Sequence, residues 1–151
     1  MAKQTSLFLT KEIINAGQTF TAFGESGIYK TIFTAGNDDS LVKSINVIAT
    51  VTGAVAPAAL TIPMQFAISG ANRNEPTAIH PFTTLSIPPM AGSGATPPID
   101  VLSASGSPAY PIDSAGKRYY PVESGAQLVA RYMNNLGLNG QITVTVIAEN
   151  Y

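Results

Sequence analysis

A chain of 151 residues suits one domain whose core is large enough to stand without metal or disulfide help. Cysteine is absent, which excludes a disulfide framework and thiolate-bound zinc and fits assembly in a reducing cytoplasm. Charged residues make up 11% and the net charge is -1, against about 25% charged in a typical soluble domain. A basic nucleic-acid surface is therefore not expected, and much of the outside is expected to be covered by neighbours.

Residues 1–10 keep no period and read as an arm, followed by a single domain over 11–151. Leu7, Phe8 and Leu9 are the apolar run of the arm, with a first short strand as the equal alternative. The run is too short for a signal-peptide core, and no segment approaches a membrane span. A strand is expected over 12–20, interrupted at Gly17, and another over 28–34 after the Gly24-Glu-Ser-Gly27 turn. The dense turn signal at 35–40 leads into a strand over 41–52, with Leu41, Ile45, Val47, Ala49 and Val51 on one face. Residues 60–69 alternate most cleanly. Pro63 has no N–H for a ladder bond, which predicts an edge strand or a bulge there. A weaker strand is expected over 78–85.

From 86 to 121 the composition changes, with seven of the eleven prolines and several glycines falling in this stretch. The expectation is a long, ordered, irregular excursion with short strand pieces at 99–102 and 119–122, not needed for the sandwich itself. The chain then alternates with period two over 127–132 and 141–150. The intervening 134–140, rich in Asn and Gly, predicts an antiparallel hairpin. No helical period of 3.6 holds for three turns. The class implied is all-β, a single jelly-roll-like antiparallel β-sandwich.

Residues for catalysis are scarce. The single histidine, His80, precedes Pro81, no serine lies in a nucleophile elbow, and one His cannot build a cupin-type metal site. Asn37-Asp-Asp-Ser40 offers oxygen ligands for calcium, but its spacing is that of a capped turn. Asp100 and Asp113, the candidate acid pair for glycoside hydrolysis, each follow an isoleucine in a Pro-rich loop, where a turn role is favoured. Gly92-Ser-Gly94 lacks the lysine and helix of a phosphate loop. Lys117-Arg118-Tyr119-Tyr120 is the one basic and aromatic cluster, favoured as a packing or subunit contact over a stacking site for bases or sugars. No enzyme, cofactor or metal is expected.

The order of these features carries a resemblance. A strand, an Asn/Asp turn and a strand over 28–51 are followed by Pro98-Ile-Asp-Val-Leu. Next comes Tyr110-Pro-Ile-Asp-Ser-Ala-Gly-Lys-Arg-Tyr-Tyr-Pro-Val-Glu-Ser-Gly, and then a closing Ile-Thr-Val-Thr-Val-Ile-Ala-Glu-Asn-Tyr. Over 28–151 this resembles the jelly-roll capsid decoration, or cement, proteins of tailed bacteriophages. The resemblance implies a homotrimer on the exterior of the virion capsid, assembled in the host cytoplasm. There it would clamp neighbouring subunits of the major capsid protein, with no nucleic-acid or membrane partner. Leu7, Phe8, Leu9, Tyr119 and Tyr120 are the candidate subunit or capsid contacts. The alternative is a receptor- or carbohydrate-binding jelly roll of a phage tail or baseplate.

Overall fold

The computed structural model describes residues 12–21, 25–51, 62–70, 78–93, 96–104, 108–133 and 140–150. The expected arm, with Leu7, Phe8 and Leu9, lies outside the described residues. Among the described residues nine strands follow in order: β1 (Glu12–Thr21), β2 (Lys30–Thr34), β3 (Ser40–Val51), β4 (Ile62–Ser69), β5 (Ile79–Ile87), β6 (Ile99–Asp100), β7 (Tyr120–Val122), β8 (Gln127–Tyr132) and β9 (Gly140–Asn150). One sheet runs β1-β9-β3-β6, with β7 also paired to β3, and the other runs β2-β8-β4-β5. All pairings are antiparallel.

The pairing β1 with β9, β2 with β8, β3 with β6 and β7, and β4 with β5 describes one long ribbon folded back on itself. Wrapping that ribbon sends alternate rungs to alternate sheets. The result is a jelly roll, with the β4–β5 pair at the end of the ribbon. Between the sheets lies one core, in which the inward positions of β9 (Ile142, Val144, Val146, Ala148) meet those of β4 and β8 (Met64, Phe66, Leu128, Ala130, Tyr132). Period-two alternation of β-branched and aromatic residues places these side chains on the inner faces. Each fully buried large one contributes on the order of 1.5–3 kcal/mol.

Several expectations are corrected by this topology. The stretches 127–132 and 141–150 are strands but not a hairpin: β8 pairs with β2 and β4, whereas β9 pairs with β1 and β3. β8 and β9 therefore stand in different sheets. β4 is an inner strand, not an edge. Pro63 is tolerated because it sits at the end of the β8 ladder, where its C=O still accepts the Met133 N–H at 2.9 Å. β1 is continuous through Gly17, which pairs with Thr145.

Three bulges change faces. Ile32 is the extra residue in β2, Lys43 in β3 and Phe82 in β5. The bulge at Lys43 turns Val42 inward with Ile45 and Val47, so Leu41 does not belong to the inward set. At Ile32 the bulge lets two consecutive residues, Ile32 and Phe33, both be buried. Beside Phe82, Pro81 lies on the edge strand, where a missing donor costs least.

The Pro-rich stretch is part of the sandwich, contrary to expectation. Its β6 and β7 complete the margin of the first sheet, and Ala91, Val101, Leu102 and Tyr110 are buried in the core. Backbone bonds fix it to β3: the Ala49 N–H donates to the Ala91 C=O at 2.8 Å and the Val101 N–H to the Ile45 C=O at 2.9 Å. Prolines suit this margin, because only one side of each piece needs donors.

Candidate functional site

The turns hold Asp39, Asp100 and Asp113 in structural work. Asp39 Oδ1 accepts the Ser124 N–H at 2.9 Å, and the Ser124 hydroxyl donates to the Asn37 C=O at 2.9 Å. This locks the Asn/Asp turn onto the loop before β8. Asp100 accepts from the Leu102 N–H (3.2 Å) and the Ser103 hydroxyl (2.7 Å). Asp113 accepts the N–H groups of Ala115 and Lys117, both at 2.9 Å. The bonds of Asp100 and Asp113 to the N–H two residues on are the turn roles that the sequence favoured over catalytic carboxylates, whereas Asp39 caps a distant loop instead of its own turn. Among the described residues, no three His, Asp or Glu side chains gather as a metal site requires. His80 lies exposed on the edge strand β5, opposite Ile68.

One furrow of about 570 Å³ separates the edge of β5 from β6, with Thr84 and Ser86 on one wall and Pro98, Ile99, Asp100 and Ser103 on the other. Asp100 and Ser103 bond to each other there. His80 does not line the furrow, so no base, nucleophile and orienting acid converge in it.

Tyr119 and Tyr120 point to opposite faces. Tyr120 lies opposite Val42 and turns inward, where its ring stacks on Phe82 with centroids 4.5 Å apart. Tyr110 meets both rings edge to face, at 6.3 and 5.9 Å. The three rings close the core between β5 and β7, and burial pushes the Tyr120 phenol above its ordinary pKa. Tyr119 is half-buried on the outer side, with the Lys43 ammonium 5.3 Å from its ring centre. Arg118 donates to the Leu102 C=O at 3.3 Å. The basic and aromatic cluster is thus split between core closure, loop fixation and one outward ring.

The bulge aims Lys43 at Asp113 (3.1 Å) and Glu149 (3.9 Å). The Asp113 carboxyl is held below its ordinary pKa, first by the Lys117 N–H and then by Lys43. The sequence carried one overlooked signal of this arrangement. Val42 and Ile45 are apolar residues three apart in a strand, a spacing that puts both inside only if an extra residue intervenes.

The chain matches no protein-family model and no curated protein. Its surfaces must therefore speak for themselves, and the most distinctive is the outer face of β1, β9 and β3. Register sets Asn15, Ile147 and Ser44 in one row, Gly17, Thr145 and Asn46 in the next, and Thr19, Thr143 and Ile48 in a third. Glu149 and Lys43, at one end, supply the charge of this face and pair with each other. Three strands about 4.8 Å apart, each some nine residues long, make a plane on the order of 400 Å².

Proposed function

We propose that this protein is a structural component of a virion: a capsid decoration protein that binds the outside of a tailed-phage head and strengthens contacts between major capsid subunits. The observation that carries the proposal is the outer face of β1, β9 and β3, where Thr, Asn, Ser and Ile predominate and the charged residues Lys43 and Glu149 lie together at one end. Such a face suits docking against protein, because little charge must be stripped of water. A catalytic role is not proposed, since the acidic residues that could serve one are spent on turns and on Lys43.

Size points to many copies. A plane of about 400 Å² falls short of the roughly 800 Å² per partner of a stable pairwise complex. A symmetric oligomer that grips several capsid subunits at once gains through effective concentration what each contact lacks. The resemblance supplies the homotrimer and the major capsid protein as the partners.

The test is a titration of purified, expanded head shells with the protein, read by co-sedimentation. Saturation at a fixed ratio to the major capsid protein is expected. No binding to any expanded shell overturns the proposal, and competable hits on a glycan array that vanish in Tyr119→Ala favour a sugar-binding module instead.

A further inference from the structure

β1 is the margin of its sheet, bonded to β9 on one side only. Along such a strand the N–H and C=O groups of alternate residues face the open side. Side-chain bonds reveal which residues these are. The Thr19 N–H donates to Gln18 Oε1 (3.1 Å), the Thr21 N–H donates to Glu25 Oε2 (2.8 Å), and the Thr19 C=O accepts from Lys30 Nζ (3.0 Å). The chain thus caps its own edge at the end near β2.

The register with β9 is unbroken from Glu12 to Thr21, so Ile13, Asn15 and Gly17 face the open side as well. Among the described residues nothing caps them. Exposed edges are ordinarily guarded by lysine, proline or a bulge, and residues 13–17 have none of these.

We propose that residues 13–17 pair with the same stretch of a second copy, antiparallel, about a two-fold axis through Asn15. In this register Ile13 lies opposite Gly17 of the second copy. Ile13 is 65% exposed, and it meets the one place in the strand with no side chain. Asn15 meets Asn15, whose amide both donates and accepts. Glu12, the one charged residue of β1, falls opposite Gln18, so no like charges meet. A shift toward Thr19 collides with the Lys30 and Glu25 caps. The contact is isologous, the same patch on both copies.

Five paired residues bury too little for a lasting dimer in dilute solution, but they link copies held at high local concentration. The inference does not depend on the capsid proposal: it uses a two-fold axis, distinct from the three-fold of a trimer, and holds wherever copies crowd together.

The absence of cysteine makes the test clean. Facing hydrogen-bonded residues of antiparallel strands have Cα atoms about 5.5 Å apart, inside the range of roughly 4.4–6.8 Å that a disulfide spans. Under mild oxidation, Asn15→Cys should form linked dimers about tenfold faster than Ser114→Cys, a control in an exposed turn. Adding Ile13→Lys to Asn15→Cys should return the rate to that of the control, with circular dichroism verifying that each variant is folded. Equal rates for Asn15→Cys and Ser114→Cys overturn the inference. If shell binding persists in that case, the pairing fails alone and the capsid proposal stands.

Discussion

Individual side chains join distant parts of the ribbon. Lys30 pairs with Glu25 at 2.5 Å while donating to the Thr19 C=O, and Lys43 joins Asp113 to Glu149. Glu25 and Asp113 are both held below their ordinary pKa values, Glu25 chiefly by Lys30 and Asp113 chiefly by the Lys117 N–H. A depressed folded pKa contributes stability that is present above the unfolded value and disappears as pH falls through the folded one. The urea midpoint should therefore be level above about pH 5 and fall progressively below about pH 4. Glu25→Gln should flatten part of that fall, and an identical profile in the variant would remove Glu25 from the account. Tyr132 donates its buried hydroxyl to the Thr21 C=O at 2.7 Å, and its ring meets Phe20 edge to face at 6.2 Å. Tyr132→Phe should cost about 1 kcal/mol in urea unfolding. Tyr132→Ala should cost about 3–5 kcal/mol, because it also leaves a cavity.

At the level of strands, two changes probe the wrapping of the ribbon. A Cβ on Gly17 would lie 2.4 Å from the Val144 carbonyl oxygen, so Gly17→Ala forces β1 away from β9. A loss of about 1–3 kcal/mol is expected by the same measurement. Replacing residues 134–139 with an Asn-Gly dipeptide would suit a hairpin, whose strands lie about 4.8 Å apart, but not a crossing between sheets about 10 Å apart. The replacement should abolish cooperative unfolding, whereas a stable variant would contradict the topology. The longer strands were legible in the sequence, since period-two alternation between turn residues marks them, whereas β6 and β7 are too short to show a period and stood out only as strand pieces in the Pro-rich stretch. Their partners were less so: a turn-rich link reads the same whether it closes a hairpin or crosses a sandwich, and only the packing of the whole ribbon decides. Bulges were hidden for a related reason. An extra residue such as Lys43 leaves the local composition unchanged and shows only as a slip in parity between Val42 and Ile45. Tyr119 and Tyr120 could be singled out as aromatic, but their division between surface and core depends on pairing with β3.

For the whole molecule, the scarcity of charge is the property that most needs an explanation. The described ion pairs lie within the chain, between Glu25 and Lys30 and among Lys43, Asp113 and Glu149. That leaves a broad, nearly neutral sheet face and an edge that the described residues leave open over 13–17, surfaces suited to neighbours. Light scattering after size exclusion should give about three times the 15.7 kDa chain mass if the proposed trimer forms. A monomer would place the burden of assembly on the shell. The most direct test of the central claim compares the heat-disruption temperature of expanded head shells with and without the bound protein. Saturating protein should raise this temperature, because a ligand of the intact shell stabilises it by mass action. An unchanged temperature at full occupancy would contradict a strengthening role.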